Sequence, residues 1–157
     1  MKCKKGIILA GGTGSRLFPL TVSVNKQLMP IYDKPTIYYP LSALMLAGLD
    51  EVLIISSPKD IVGMQSLLGD GSHLGLSIQY KVQDKPSGLP EAFTIGEDFI
   101  NNEPVAMILG DNFFYGHGFS TVILDVASHI EKAHVFLYSV KDPSAYGVAK
   151  LDQTGEK

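Results

Sequence analysis

Near its start the chain reads Lys4-Lys5-Gly6-Ile7-Ile8-Leu9-Ala10-Gly11-Gly12-Thr13-Gly14-Ser15-Arg16, a short apolar run that leads into closely spaced glycines. The apolar run predicts a buried strand of a parallel sheet. Glycines let the backbone turn sharply and approach a ligand because they carry no Cβ, and successive N–H groups in such a turn attract anions. Arg16 adds a permanent positive charge, and Lys26 can add a second. The stretch therefore predicts a site for a phosphorylated ligand; the alternative is a plain tight turn with Arg16 in solvent.

Two familiar glycine-rich phosphate loops do not match this stretch. A dinucleotide fingerprint, G-x-G-x-x-G, runs directly into a helix that packs on its third glycine. With Gly12 and Gly14 as the first two glycines, Leu17 stands at the third position, and Pro19 disfavours helical geometry at Phe18. The P-loop needs Gly-Lys followed by Ser or Thr, and the chain contains no such sequence. The ligand must therefore be inferred from other residues.

The composition is that of an ordinary globular protein, and it argues against several classes of partner. The 157 residues suit a single domain spanning residues 1–157, with 45% hydrophobic and 18% charged residues. A net charge of −3 gives no general attraction to nucleic acid or to an anionic membrane, so we expect neither as a partner. Cys3 is the sole cysteine, and no signal peptide or membrane-spanning run is evident, which favours a cytoplasmic protein. The histidines lack metal-ligand spacing, so we expect them at the surface: His73, His117, His129 and His134.

Apolar runs of strand length alternate with longer segments of helical periodicity. This alternation predicts an α/β fold with three layers and a mainly parallel sheet. The predicted strands cover residues 6–10, 51–56, 77–81, 105–109 and 135–140. The predicted helices cover residues 36–47, 58–68, about 87–100 and 119–130. Because residues 105–109 are continuously apolar, we expect that strand to be buried on both faces.

The last part of the chain predicts a strand without a partner. Residues 146–152 alternate between apolar and polar positions, and Gln153-Thr154-Gly155-Glu156 has the composition of a turn. Lys157 ends the chain before a second strand can form. Because a lone strand leaves its edges unpaired, we expect either that the last residues are frayed or that the fold is C-terminally incomplete.

Polar groups follow three of the predicted strands, at the end where an open α/β sheet binds ligands. The glycine-rich stretch follows the first strand, Gln83 the third and Asp111 the fourth. Asp111 can hold Mg²⁺ together with phosphate oxygens and water, or it can simply cap the following turn. The amide of Gln83 offers both a donor and an acceptor, which suits the edge of a nucleobase, although a solvated loop residue is the alternative. Gly88 would let a base approach the backbone.

The sequence lacks the usual signatures of covalent or zinc-dependent catalysis. The chain has no G-x-S-x-G motif, no Cys–His pair and no zinc motif. A nucleotide site without a covalent nucleophile leaves phosphoryl-group chemistry, carried out by positioning and charge neutralisation, as the predicted reaction class.

The motifs, taken in order along the chain, resemble those of the sugar-phosphate nucleotidylyltransferases. The signature Leu9-Ala10-Gly11-Gly12-x-Gly14-x-Arg16-Leu17-x-Pro19-Leu20 is followed by Asn25-Lys26-Gln27-Leu28-Met29-Pro30. Further matches are Tyr38-Tyr39-Pro40-Leu41-Ser42, Leu68-Gly69-Asp70-Gly71-Ser72, Gln79-Tyr80-Lys81-Val82-Gln83, Gly88-Leu89, Leu109-Gly110-Asp111-Asn112, Phe114-Tyr115-Gly116 and Tyr146-Gly147-Val148. They are most similar to the members of the family that use dTTP and glucose-1-phosphate. The resemblance implies the nucleotide-diphospho-sugar transferase fold, which is Rossmann-like.

The resemblance also implies a reaction and a role for individual residues. An oxygen of glucose-1-phosphate attacks the α-phosphorus of dTTP, giving dTDP-glucose and pyrophosphate. Arg16 and Lys26 would be catalytic, neutralising charge on the phosphates, and Asp111 would bind Mg²⁺. The implied nucleotide-binding residues are Leu9, Gly11, Gly12, Thr13, Gly14, Gln27, Gln83, Pro86 and Gly88. The implied sugar-binding residues are Leu109, Tyr146 and Gly147.

The chain departs from the family pattern in two places. Pro90-Glu91-Ala92 stands where many of these enzymes have Ala-Gln-Ala, which affects the packing on the base side. Family members are also longer: a Glu-Glu-Lys-Pro segment that holds the sugar phosphate would follow Lys157, and a second metal-binding aspartate would lie further on. The alternatives are therefore a truncated, non-catalytic nucleotide-binding module and a transferase that uses UTP or another sugar-1-phosphate. The resemblance also implies that the protein forms homo-oligomers.

Overall fold

The structure is a computed structural model that describes residues 1–12, 14–85, 87–144 and 146–150. Its strands are, in chain order, β1 (Lys5–Leu9), β2 (Pro30–Ile31), β3 (Lys34–Pro35), β4 (Glu51–Ser56), β5 (Ser77–Val82) and β6 (Val105–Leu109). Its α-helices are α1 (Tyr38–Leu46), α2 (Ile61–Leu68), α3 (Glu91–Ile95), α4 (Glu97–Ile100) and α5 (Phe119–Ser128). Short 3₁₀ turns cover Ser15–Leu17, Leu20–Val22, Lys26–Leu28 and Ser72–Leu74.

A parallel sheet forms the centre of the molecule. Its strand order is β5-β4-β1-β6, and every adjacent pair is parallel. The register places Ile7 of β1 opposite Leu53 of β4 and Met107 of β6. Strands β2 and β3 form a separate antiparallel pair. Because the main strands all run the same way, their carboxyl ends lie along one edge, as the sequence predicts.

Both faces of the sheet are covered, which gives three layers. Ile8 and Ile54 point to one face, where they join a buried cluster with side chains of α1, α2 and α5. Ile7, Leu53 and Ile55 point to the other face and pack against α3 and α4. This alternation follows from the opposite directions of successive side chains along a strand. The predicted three-layer α/β architecture is therefore confirmed.

The helices agree with the sequence pattern except at the third one. Helices α1, α2 and α5 lie inside the predicted ranges, and Gly48, at φ +77°, follows α1 as the predicted C-terminal glycine. The predicted helix from residue 87 is wrong at its start, because α3 begins only at Glu91. Gly88 takes φ +104°, which is incompatible with a right-handed helix, and Gly96 separates α3 from α4.

Two strand predictions also need correction. Residues 135–140 form no strand in the structure, and their large apolar side chains are exposed, because no described strand pairs with them. Strand β6 is mostly half-buried rather than fully buried, since β1 is its only partner in the described part of the chain. Residues 146–150 likewise form no strand. The rest of that predicted strand and the predicted turn, residues 151–157, lie outside the described residues.

The Leu68-Gly69-Asp70-Gly71-Ser72 motif lies at the opposite edge of the sheet from the strand carboxyl ends. It connects the end of α2 to the start of β5. Asp70 Oδ1 accepts hydrogen bonds from the Ser72 hydroxyl at 2.7 Å and from the Ser72 N–H at 2.9 Å. These bonds hold the pKa of the Asp70 carboxyl below its usual value. The motif therefore stabilises a turn, and it is not near the glycine-rich stretch.

The α-helices are short, and the histidines lie at the surface. No helix among the described residues combines the length and the apolar character needed to cross a membrane. All of the histidines are exposed, as predicted from their spacing.

Candidate functional site

Backbone hydrogen bonds hold three loops together where the strands end. The N–H of Gly110 donates to the carbonyl of Leu9 at 2.9 Å, so the loop after β6 stays beside the end of β1. The N–H of Ala10 donates to Ile55 O at 2.7 Å, and the N–H of Gln83 donates to Ser56 O at 2.9 Å. The sheet ladder thus continues past the strands, and it places the three predicted polar segments side by side.

The glycine-rich loop folds back on itself at Gly14. This residue takes φ +62°, and Thr21 Oγ1 donates to its carbonyl at 3.0 Å. A Cβ at position 14 would lie 2.6 Å from Thr21 Cγ2, so the close approach also requires glycine. After the turn Ser15–Leu17, Phe18 takes a non-helical ψ of 137°. The prediction that no dinucleotide-type helix starts here is therefore confirmed.

Lys26 lies between the glycine-rich loop and the loop after β6: its Cβ would be 3.5 Å from a Cβ on Gly14, and its ammonium reaches Asp111. It begins a 3₁₀ turn whose N-cap is the buried Asn25, and Asn25 Oδ1 accepts from the N–H of Gln27 at 2.8 Å. The ammonium of Lys26 forms an ion pair with Asp111 Oδ2. The two side chains are only partly exposed, at 24% and 38%. The pair joins the residues that the sequence assigns to phosphate binding and to metal binding.

Two cavities adjoin this ion pair. The larger, of ≈ 750 Å³, is lined in part by Gly14, Arg16, Lys26 and Asp111. The smaller, of ≈ 230 Å³, is lined in part by Gly11, Gly12 and Lys26. A volume of several hundred Å³ is typical of small-molecule sites. Lys26 lines both cavities, so a ligand extending from one to the other would pass this residue.

The charges around the larger cavity favour an anionic ligand. Arg16 lies on the exposed 3₁₀ turn and takes part in none of the ion pairs formed among the described residues. Lys26 is paired with Asp111, so the local balance is one net positive charge. An exposed guanidinium in a cavity can bind phosphate oxygens in a bidentate way.

Gln83 is brought against the glycine-rich loop, as its predicted role requires. The residue is only 4% exposed, and its Oε1 lies where a side chain at position 11 would be, 2.6 Å from an ideal Cβ on Gly11. Its Nε2 donates to Glu91 Oε2. Gly88 is exposed nearby along the chain, at φ +104°. The side-chain amide of Gln83 therefore lies directly beside the backbone of Gly11.

Several predicted residues, including Leu9, Gln83 and Gly88, line neither of the two cavities. Gln27 is buried, with Oε1 unpaired among the described residues, and it packs against Gly110. Leu109 is half-buried in β6, while Tyr146 and Gly147 are exposed and outside both cavity linings. The predicted nucleotide-binding residues Thr13 and Pro86 lie outside the described residues. The functional roles of all these residues stay predictions.

Sequence reasoning missed Lys59 and the contact that Glu91 makes with Gln83. Lys59 lies just after β4, lines the smaller cavity and donates from Nζ to Val22 O at 2.8 Å. Its position after a strand could have indicated it, because the same edge rule applies to β4. Glu91 contacts Gln83 across a loop, and no local pattern predicts that contact.

Gly110, the residue before Asp111, is packed too closely to accept a larger side chain without loss of stability. A Cβ there would lie 2.9 Å from Gln27 Cγ and 3.0 Å from Ala10 Cβ. We expect Gly110→Ala to lower the free energy of unfolding by about 1–3 kcal/mol through overpacking. Denaturant unfolding measures this change, with Gly116→Ala as the control, because nothing lies within 4 Å of a Cβ at that position. Equal unfolding midpoints for the two variants would contradict the packing account.

Comparison with known proteins identifies the protein family to which the chain belongs. The model of the nucleotidyl transferase family matches residues 5–157, so the chain belongs to the nucleotidyl transferase family. Among curated proteins it is similar to the glucose-1-phosphate thymidylyltransferase of Neisseria gonorrhoeae, with 55% identity over 149 residues, 95% of this chain and 52% of the relative. The chain spans about half the length of the curated relatives that it matches. The resemblance inferred from the motifs is confirmed.

Solved structures agree with this assignment. A Bacillus anthracis protein described as a glucose-1-phosphate thymidylyltransferase, in complex with sucrose, superposes with a TM-score of 0.70 at 42% identity, over 75% of this chain and 48% of that one. A UDP-glucose pyrophosphorylase complexed with UDP-glucose gives a TM-score of 0.68 at 27% identity, over 80% of this chain and 52% of that one. The predicted nucleotide-diphospho-sugar transferase fold is therefore confirmed.

Proposed function

We propose that this chain provides the nucleotide side of an active site that transfers a thymidylyl group from dTTP to glucose-1-phosphate. The products are dTDP-glucose and pyrophosphate. The observation that carries the proposal is the Lys26–Asp111 ion pair, which joins the turn Lys26–Leu28 to the loop after β6 in a cavity that Gly14 and Arg16 also line. Similarity to glucose-1-phosphate thymidylyltransferases supports the choice of substrates.

The proposed reaction needs cations and accurate positioning rather than a covalent nucleophile. A phosphate oxygen of glucose-1-phosphate forms a bond to the α-phosphorus of dTTP, and the bond from that phosphorus to the bridging oxygen of pyrophosphate breaks. Negative charge spreads over the phosphate oxygens in the transition state. Arg16 and Lys26 would stabilise that charge from the cavity wall, since both line the larger cavity.

The glycine-rich loop and Gln83 would hold the nucleotide. The backbone at Leu9, Gly11, Gly12 and Gly14 lies at the carboxyl edge, where N–H groups can face the phosphates. Gln83, packed on Gly11, would contact the base. Lys59 would add positive charge to the smaller cavity beside Gly11 and Gly12.

Asp111 suits a magnesium ion that is shared with a nucleotide. No group of three ligating carboxylate, histidine or cysteine side chains occurs among the described residues. Mg²⁺ typically needs only one or two carboxylates when phosphate oxygens and water complete its shell. The Asp111 carboxylate meets this requirement because it is partly exposed on the cavity wall. When bound there, the ion would neutralise charge on the triphosphate.

The predicted sugar contacts lie apart from the two cavities. Leu109, Tyr146 and Gly147 are the predicted sugar contacts, and none of them lines either cavity. We therefore infer that residues 1–157 bind dTTP with Mg²⁺ and form pyrophosphate poorly on their own. This placement favours the non-catalytic nucleotide-binding module as the second candidate function for the chain by itself.

Calorimetry and a pyrophosphate assay test the proposal together. We expect dTTP with Mg²⁺ to bind the purified chain, and glucose-1-phosphate to elicit slow pyrophosphate release. A panel of dTTP, UTP and other nucleotides in the same assay identifies the preferred base. If no nucleoside triphosphate binds, the proposed site is wrong. Rapid pyrophosphate formation would contradict the inference that residues 1–157 turn over poorly on their own.

A further inference from the structure

The Glu91 carboxylate holds the side chain of Gln83, although Glu91 has no part in the proposed phosphoryl transfer. Glu91 is the first residue of α3, and its Oε2 accepts from Gln83 Nε2. The N–H of Ser87 donates to the same oxygen at 3.3 Å. The backbone of the loop between β5 and α3 therefore helps to place the carboxylate. Gln83 is 4% exposed, so its amide can rotate in place but has little room to move away from Glu91 and Gly11.

The chemistry of a carboxylate determines which end of the amide faces it. An ionised glutamate only accepts hydrogen bonds, so the Gln83 end that meets Glu91 must be the NH₂ group. The carbonyl oxygen then lies at the opposite end, against Gly11. No donor in the described ranges reaches that oxygen. The amide thus presents an acceptor, and not a donor, on the side of the glycine-rich loop.

We propose that Glu91 is a positioning residue for base selection, because it orients Gln83 so that its carbonyl oxygen faces the bound nucleotide. This inference rests on the proposed function, in which Gln83 contacts the base. An acceptor that faces ring position 3 favours a pyrimidine with an N–H at that position. Thymine and uracil have N3–H there, whereas N3 of cytosine is itself an acceptor. If the Gln83 carbonyl oxygen faced cytosine N3, both acceptors would lack a hydrogen-bond donor, which is costly in a buried site.

Reversal of the hydrogen-bonding character at position 91 tests the inference. Glu91→Lys places a donor-only group there, so the Gln83 amide should turn and present NH₂ toward Gly11. Glu91→Gln offers a donor and an acceptor in nearly the same volume, so both amide orientations become accessible. The measured quantity is the ratio of the Kd for dCTP to the Kd for dTTP, determined by calorimetry. General electrostatic effects on the triphosphate cancel in this ratio.

We expect the ratio for the unmodified chain to be at least tenfold in favour of dTTP. Glu91→Lys should lower the ratio at least tenfold, and Glu91→Gln should lower it severalfold. Glu97→Lys is the matched control, since Glu97 is an exposed residue at the start of α4 with the same charge change. It should leave the ratio unchanged. Circular dichroism confirms that each variant is folded, and the near-isosteric Glu91→Gln carries the test if Glu91→Lys does not fold.

The outcomes separate this inference from the proposed function. If the unmodified chain prefers dTTP and the folded position 91 variants keep the same ratio, the role of Glu91 is overturned while the nucleotide site stands. If the unmodified chain binds no nucleotide, the proposed function fails, and the inference that rests on it fails with it. A reduced ratio in both Glu91 variants, with Glu97→Lys unchanged, supports the assignment.

Discussion

Replacement of Arg16 with alanine is expected to weaken dTTP binding by about 10- to 100-fold and to lower pyrophosphate formation by about 10³-fold. Arg16 follows the left-handed turn at Gly14 and lines the cavity that contains Lys26 and Asp111. It takes part in no ion pair within the described ranges, so its charge is available to a ligand. Loss of a guanidinium from a phosphate site removes directed, charge-assisted hydrogen bonds.

Two further variants distinguish this contact from a general effect of charge. Arg16→Lys keeps the charge but not the bidentate geometry, so it should restore dTTP binding only in part. Lys4→Ala removes a positive charge next to the start of β1, at the opposite edge of the sheet, and should leave dTTP affinity unchanged. Calorimetric titration measures both. Equal losses in Arg16→Ala and Lys4→Ala would show that Arg16 has no specific role.

Substitution of Asp111 with asparagine should have opposite effects with and without magnesium. With Mg²⁺, we expect dTTP affinity and pyrophosphate formation to fall by about 100-fold, because the charged ligand for the ion is lost. Without a divalent ion, we expect dTTP to bind more tightly than to the unmodified chain. The reason is that Lys26 is no longer neutralised by the carboxylate with which it forms an ion pair.

The control for this experiment is Asp50→Asn. Asp50 is exposed and lies just before β4, at the amino end of the sheet, so its loss changes the net charge without touching the cavities. The dTTP affinity of this variant should equal that of the unmodified chain in Mg²⁺, and again in the presence of a chelator. If Asp111→Asn weakened dTTP binding equally in both conditions, Asp111 would not be acting through a metal ion.

Local patterns predict the sheet well because its two central strands, β1 and β4, are buried and rich in apolar residues. The predicted starts and ends of β1, β4, β5 and β6 agree with the structure to within one residue. The failures depend on long-range partners or on backbone conformation. Residues 135–140 are apolar enough for a strand, yet a strand also needs a hydrogen-bonded neighbour, which the described structure does not provide. The positive φ of Gly88 delays α3, and helical periodicity does not reveal it.

The site is predictable to the extent that it follows from the direction of the strands. The carboxyl-end rule alone places Arg16, Gln83 and Asp111 on loops at the same edge. The Lys26–Asp111 ion pair requires the path of the chain between β1 and α1, which no periodicity specifies. The Gln83–Glu91 contact depends on the conformation of the loop between β5 and α3. These contacts come from tertiary structure and not from local sequence.

One edge of the sheet is proposed to bind dTTP, and hydrogen–deuterium exchange with saturating dTTP and Mg²⁺ reports which loops the nucleotide contacts. We expect slower exchange in residues 11–28 and 110–112, which include residues that line the two cavities, and in residues 83–91, which include Gln83, packed on Gly11. The Leu68–Ser72 turn at the opposite edge serves as the internal control and should exchange at the same rate with and without dTTP. Protection of that turn, or saturation by dTTP with no protection of the three segments, would show that dTTP does not bind at the carboxyl edge of the sheet.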